Sequence, residues 1–478
     1  MTHTVEKIGG TSMTAFDAVI NNILLYPENP YQRILVVSAY SGITDALLEC
    51  KRSGNPGIFR LVEAGDEQWR DNLDALRQRM LLINGNIFAD PYYRNKADTF
   101  ITERLEGVAG CIESILHTCK FSQFYLEDHL PQLREMLAGI GEAHSAFNTA
   151  LLAQTVGLQA TFVDLSGWHS DMDKSVDEVL HEAMVDIDLS ATLPIVTGYV
   201  CCREGLMRTY DRGYSEMTLS RLATVTKAHT AVIHKEYHLS SADPRLVGVE
   251  NVRPIGDSNY DVADQLANLG MEAIHPHAAS GLRAAGIHLQ VKNTFEPEHN
   301  GTLISGLYKP KQQQVQIIAG KENVLALHLF DQNAVGNMED IGYELIQVIR
   351  RENIRLISKE MNANSLTYYL AGPTAIQNRI LEKAKAIRPD AQVSGKRVAL
   401  VSVIGCHIDT NITLSEGLLA LLKLGITPKA AHASMRNVDV QYVVRDVEYQ
   451  DTVKALHAAF VENGEKTASA HLATITAA

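Results

Sequence analysis

Two stretches near the N-terminus share a form that restricts the fold more than any other feature of the chain. In the first, TVEKI runs into GGTS and then into the helix-like MTAFDAVINNILL; in the second, RILVVSA runs into YSG and then ITDALLE. A strand, a glycine turn and a helix, used twice in succession, imply parallel strands, because a parallel neighbour is reached only through a crossover that lays a helix on the sheet. Four later segments, ATFVDLS, LPIVTGYVCC, HTAVIHKEY and IHLQVKN, read as further strands. The expectation for residues 1–310 is therefore an α/β domain with an open, mainly parallel sheet. Between Gly57 and Leu137 the chain is nearly free of β-branched runs and carries Leu, Arg, Glu and Gln at helical spacing, which predicts a helical excursion over 58–137.

Pro310 and the polar KPKQQQ around it mark a boundary, beyond which the chain repeats itself. One unit begins at ENVLALHLF and passes through EDIGYELIQVIRREN, IRLISKEMN and SLTYYLAG to IQNRILEKAKAI. The other begins at KRVALVSVI and passes through SEGLLALLKLG, ITPKAAHAS and VDVQYVVRDV to QDTVKALHAAFVE. Both read β-α-β-β-α, with about 74 residues between equivalent points, too few copies for a solenoid. Two small α+β modules, 316–390 and 391–465, are expected, followed by a tail at 466–478.

A net charge of −13, from 43 basic and 56 acidic residues, argues against a nucleic-acid surface or a polybasic membrane anchor. An anionic ligand must be held by a local cluster. The N-terminus has no apolar signal core, and no apolar run approaches the ~20 residues of a membrane span. Six scattered cysteines without CxxC spacing read as reduced thiols. A cytoplasmic enzyme or sensor is the expectation.

The glycine turns carry the candidate chemistry. In VEKIGGTSM, Gly9 and Gly10 let backbone N–H groups approach phosphate oxygens without a Cβ in the way, and Lys7 at the strand end can stabilise charge on a transferring phosphoryl group. A plain strand-to-helix turn would read the same, and neither GxGxxG nor GxxxxGK[ST] is present. In SAYSGITD, Ser38, Ser41 and Thr44 surround Gly42, as ligand hydroxyls or as helix caps. In GIGEAHSAF, Glu142 follows a glycine at what reads as a helix start, suited to a ligand amino group or to capping. In MRTYDRGYSEMT, Arg212 offers a planar fork matched to a carboxylate, followed by Ser215 and Glu216; a surface ion pair is the alternative. His275 and His277 flank a proline, and His234 and His238 form HxxxH, not HExxH; with no third ligand at suitable spacing, no metal site is expected.

Taken together and in this order, KxGGTS, SAxSGITD, GE, RGxSE, ADPR and HP, trailed by two β-α-β-β-α modules, resemble the aspartokinase family over nearly the whole chain. The resemblance implies an amino acid kinase fold, with helices on both sheet faces, for residues 1–310, then two ACT-like βαββαβ modules. It implies ATP- and Mg²⁺-dependent phosphorylation of the L-aspartate side-chain carboxylate to 4-phospho-L-aspartate. This is the first step toward lysine, threonine and methionine or, as VEKIGGTSM and DRGYSE suggest, ectoine. Carried over by motif, Lys7, Gly9, Gly10, Thr11 and Ser12 attend the phosphates, and Ser38, Thr44, Glu142, Arg212 and Ser215 hold aspartate. Glu142 meets its ammonium and Arg212 its α-carboxylate. Glu216, where the family has Asp, orients Lys7, and Lys235, Ser240, Asp243 and Arg245 fall in the nucleotide segment. The resemblance further implies a homodimer built through the ACT modules and an amino-acid effector there.

The chain also departs from the family. The family's GRGGSD is DRGYSE, with Asp211 and Tyr214 for glycines; its WTDVPGIYTTDPR is IHKEYHLSSADPR; and Glu272 replaces a lysine, with Lys235 the nearest compensating cation by motif. Two rival readings remain at this level: an amino-acid sensor that has lost turnover, and a kinase for another acidic amino acid. Lys7 and Glu216 discriminate the first, since a sensor has no need of them.

Overall fold

The computed structural model describes residues 2–50, 53–168, 173–210, 213–271 and 273–462; the expected tail at 466–478 lies outside them. The chain divides into two compact units, Met1–His238 with Ile274–Gly306, and Leu239–Ala273 with Leu307–Ala478. The break after Gly306 lies close to the boundary expected at Pro310. Residues 239–273, however, group with the second unit, so the expected 1–310 domain is interrupted. The strands are, in chain order, β1 (Thr4–Ile8), β2 (Arg33–Val37), β3 (Ala160–Val163), β4 (Leu193–Thr197), β5 (Thr230–Lys235), β6 (Asp257–Asn259), β7 (His288–Asn293) and β8 (Thr302–Ser305). They continue as β9 (Gln314–Phe330), β10 (Arg355–Met361), β11 (Ser365–Ala371), β12 (Gln392–Cys406), β13 (Ala430–Ala433) and β14 (Asp439–Arg445).

In the first unit the sheet runs β3-β4-β2-β1-β5-β7-β8. All neighbours are parallel except β7 and β8. Every residue of β2 and β4 is buried, as expected of strands covered on both faces. In the central strand β1, Glu6 is buried as well. Arg33 donates Nε–H to Oε1 and Nη2–H to Oε2, each at 2.7 Å, and His234 Nε2 lies 2.9 Å from Oε2. Burial alone would raise the Glu6 pKa, but the Arg33 guanidinium and then His234 hold it well below the usual carboxylate range.

The excursion is helical as expected, in helices Ile58–Glu63, Trp69–Ile87 and Pro91–Thr118. The next helix, Leu130–Thr155, continues beyond residue 137 without a break. Glu142 therefore lies in mid-helix, not at a helix start. Gly139 and Gly141 are there for close packing: a Cβ on Gly141 would lie 2.8 Å from that of Ala39, and one on Gly139 would lie 3.0 Å from the Tyr199 ring. No helix among the described residues is long and apolar enough to cross a membrane.

The second unit holds a six-stranded antiparallel sheet, β10-β11-β9-β12-β14-β13. Its long strands serve both repeats. Val324–Phe330 of β9 pairs with β11 and with Gln392–Val398 of β12, whereas the earlier part of β9 pairs with Leu400–Cys406. Each module thus takes in a strand from beyond its expected range, and a boundary at 390/391 precedes a strand that both modules share. Helices Met338–Arg351 and Thr374–Ile387 cover the first half through Ile341, Leu345 and Ile380; helices Thr410–Lys423 and Tyr449–His457 cover the second through Leu421, Val453 and Leu456.

Candidate active site

Parallel strands bring their C-terminal ends to one edge of the sheet, which is where open α/β folds bind ligands. In the first unit Lys7 of β1, Ser38 after β2 and Gly198 after β4 all reach this edge. Lys7 pairs with Val36 of β2 on one side and Ile233 of β5 on the other. The two glycine turns meet there: a Cβ on Gly10 would lie 2.7 Å from the Ala39 carbonyl oxygen, so only glycine permits the crossing. Above them lies a cavity of about 300 Å³ whose lining includes Lys7, Gly10, Thr11, Ser38, Thr44, Glu142, Ser215 and Glu216.

Two carboxylates organise it. Glu216 stands in the first turn of helix Tyr214–Thr226, after Gly213, whose φ of 81° and closeness to the His275 ring leave no room for a side chain. Its Oε2 accepts the His275 backbone N–H at 2.5 Å, and its Oε1 lies 3.7 Å from Lys7 Nζ. Lys7 is thereby held at the strand end and aimed into the cavity. Glu142 comes from the long helix behind. Its Oε1 accepts the Ser215 hydroxyl at 2.7 Å, and Ser38 donates in turn to Ser215 at 3.2 Å. Its Oε2 is buried without a well-formed hydrogen bond, while the backbone N–H groups of Ala39 and Tyr199 lie close enough to the carboxyl to lower its pKa. A Cβ on Gly198 would come within 2.8 Å of that oxygen, of Ser215 Cβ and of the Val37 carbonyl. Burial pushes the Glu142 carboxyl up to about 8, against the opposing effects of the Ser215 hydroxyl and Lys7.

Several candidates lie elsewhere. Gly9 and Ser12 do not line the cavity; Ser12 is fully buried and accepts the Thr294 hydroxyl at 3.0 Å. Lys235 closes β5 and is not part of the lining, and Ser240, Asp243 and Arg245 belong to the second unit. There Asp243 caps the helix Pro244–Val247 by accepting the Arg245 N–H at 2.9 Å, and its side chain pairs with the exposed Arg245 guanidinium at 2.6 Å. Arg212 and Glu272 lie outside the described residues.

The cavity also contains residues that motif reasoning missed. Arg134 makes a two-pronged pair with Glu49, at 2.7 and 3.1 Å, and its guanidinium lies over the Phe59 ring at 5.0 Å. Asp45, Tyr40 and Met207 join the lining. Asp45 and Glu49 stand four residues apart in ITDALLE, a spacing that could have flagged them. Nothing in the sequence around Arg134 distinguishes it from the other arginines of the helical excursion.

The amino acid kinase family model matches residues 3–293. Aspartate kinase Ask_Ect of Stutzerimonas stutzeri is 45% identical over 467 residues, covering 96% of this chain and 98% of its own. Aspartokinase 1, chloroplastic, of Arabidopsis thaliana is 21% identical over 496 residues, covering 96% of this chain and 80% of its own. E. coli aspartokinase III has a similar fold at 20% identity, with TM-scores of 0.70 for its complex with aspartate and ADP and 0.72 for that with lysine and aspartate. Each comparison covers 96% of this chain and 99% of the other. A family match over more than half the chain, joined to 45% identity along almost all of it, places the protein in the amino acid kinase family as an aspartate kinase.

Proposed function

We propose that this chain transfers the γ-phosphoryl group of ATP to the side-chain carboxylate of L-aspartate, giving 4-phospho-L-aspartate and ADP. The observation that carries the reading is the buried carboxylate of Glu142, whose Oε1 takes the Ser215 hydroxyl and whose Oε2 has no well-formed hydrogen bond, in the same cavity lining as the Lys7–Glu216 pair. In this reading Glu142 takes the substrate ammonium while Ser38, Ser215 and Thr44 steady its carboxylates, with Arg212 reserved for the α-carboxylate. The turn at Gly10 and Thr11 offers backbone N–H groups to phosphate oxygens, and Lys7 stabilises charge on the transferring group. Transfer is direct, so these residues act by position and charge and form no covalent intermediate.

Mg²⁺ fits this lining. Asp45 and Glu216 belong to it, and carboxylate oxygens suit a hard divalent cation. Bound with the nucleotide, Mg²⁺ would neutralise phosphate charge, and Asp45 and Glu216 would be the carboxylates to hold it. The nucleotide-side roles of Lys235, Ser240, Asp243 and Arg245 belong to the same proposal, as do a cytoplasmic location and an amino-acid effector on the second unit. So does a homodimer through the second unit, where β10 and β13 end the sheet among the described residues. Light scattering of the full chain tests the dimer.

The sensor alternative has no observation in its favour, because Lys7 and Glu216 meet in the cavity. Nucleotide-consumption assays with aspartate, glutamate and N-acetylglutamate, side by side, test the function. Turnover with aspartate alone is expected; N-acetylglutamate lacks the ammonium that Glu142 selects. Equal turnover with N-acetylglutamate would refute the role given to Glu142.

A further inference from the structure

Glu135 lies two helical turns before Glu142, about 10.5 Å along helix Leu130–Thr155 and on the same face. It is buried, at 6% exposure, and all three groups bonded to it are donors. The Tyr199 hydroxyl donates to Oε2 at 2.6 Å, the Met207 backbone N–H donates to the same oxygen at 3.1 Å, and the Arg208 N–H donates to Oε1 at 2.9 Å. The two N–H groups open the short helix Leu206–Tyr210, where a side chain at the preceding position would ordinarily accept them. That position is Gly205, with φ of 70° and with space for a Cβ only 2.8 Å from Glu135 Oε1. A carboxylate from a distant helix thus replaces the local cap.

The segment held in this way forms one wall of the cavity. It leaves β4 at Gly198, and Met207, Gly213, Tyr214, Ser215 and Glu216 line the site. The Tyr199 ring meets the Tyr214 ring edge-on at 5.8 Å, so the Glu135 bond to Tyr199 also bears on the residue beside Ser215. Further along the same helix, Glu142 accepts Ser215 itself.

We infer that Glu135 is a positioning residue for the kinase reaction: it anchors the 198–210 part of the wall so that Ser215 and Met207 present a preformed aspartate site. The inference rests on the aspartate kinase reading of the cavity. Without the anchor, three donors lose their acceptor, the wall moves relative to Glu142, and aspartate must reorder it on binding. The cost therefore falls on aspartate KM. A residue that mattered only for folding would lower thermal stability and the active fraction, and would leave the KM of the folded enzyme alone.

The test uses the full chain with Glu135→Ala, Glu135→Gln and Tyr199→Phe. Glutamine keeps one acceptor oxygen but turns an amide donor toward an N–H, so its effect should fall between the other two. In Glu135→Ala, aspartate KM should rise about tenfold or more while ATP KM stays within about twofold, the split expected when ground-state aspartate contacts are disturbed. Tyr199→Phe keeps both backbone bonds and should change aspartate KM by less than about threefold. Hydrogen exchange on the ligand-free protein should show the Met207 and Arg208 amides losing protection in Glu135→Ala, an outcome independent of turnover. Unchanged aspartate KM in a folded Glu135→Ala, or unchanged exchange at these amides, overturns the inference. If the alanine variant does not fold, Glu135→Gln decides: an aspartate KM equal to that of Tyr199→Phe overturns it. A wild-type chain without turnover on aspartate would instead refute the function, and the exchange measurement would still decide the anchor.

Discussion

Glu142 gives the proposed site a pH dependence with a definite sign. Its carboxyl, pushed up to about 8 by burial, is mostly protonated at neutral pH in the free enzyme. An ammonium requires the ionised form, so binding aspartate must expel a proton below that pH. With a pKa of about 8, roughly a tenth of the free enzyme is competent at pH 7 and about a hundredth at pH 6, and apparent affinity scales with that fraction. The dissociation constant for aspartate should therefore fall about tenfold per unit from pH 6 to pH 8 and then level off, each factor of ten corresponding to about 1.4 kcal/mol. Calorimetry in two buffers of different ionisation enthalpy should show release of about 0.9 proton per aspartate at pH 7, which follows from the same fraction. Glu142→Gln should bind weakly, with no slope across this range. A wild-type constant that is flat between pH 6 and 8, or proton uptake on binding, would refute the reasoning.

The same residue bears on stability. A carboxyl raised in the fold contributes stability that is fully present below its unfolded pKa and is lost as pH rises toward about 8. Glu142→Gln should thus gain on the wild type by about 1.4 kcal/mol per unit at most over that window, seen as a growing difference in unfolding midpoint. Lys7→Ala should cut kcat by ~10²-fold or more and change aspartate KM less, as for loss of one strong transition-state contact; near-normal kcat in a folded variant would remove Lys7 from the mechanism. Gly198→Ala places a methyl within 2.8 Å of Glu142 Oε2, Ser215 Cβ and the Val37 carbonyl. It should cost about 1–3 kcal/mol in denaturant titration and weaken aspartate binding, and a neutral effect on both would contradict the packing. Glu6 has the opposite sign to Glu142: its pKa is depressed, so its contribution is present above the ordinary carboxylate range and lost as pH falls. Glu6→Ala leaves Arg33 buried without its carboxylate and should cost about 3–5 kcal/mol at pH 7, measured by urea unfolding.

The first unit was legible because its signals are local. A strand-turn-helix grammar is written within a few residues, and a parallel sheet then gathers the strand ends at one edge without further instruction. Lys7, Gly10, Thr11, Ser38, Thr44, Ser215 and Glu216 come from distant parts of the chain, yet all line one cavity because each stands at or just beyond a strand end or opens the helix after it. The repeat in the second unit was legible for a similar reason, since periodicity reports each helix and strand separately.

Tertiary structure decided what depends on partners far apart in sequence. Gly139 and Gly141 look like helix breakers until Tyr199 and Ala39 are packed against them, and only then does Glu142 become a mid-helix residue. The cavity's Arg134–Glu49 pair joins residues 85 positions apart, and Glu135 meets Met207 across 72. In the second unit, β9 and β12 are long enough to pair with each other along both repeats, so the modules share strands that a sequential reading would divide between them. Local pattern determined which segments are strands and helices and which turns line the cavity. Packing between distant segments determined which carboxylates are buried, Glu135 and Glu142 among them.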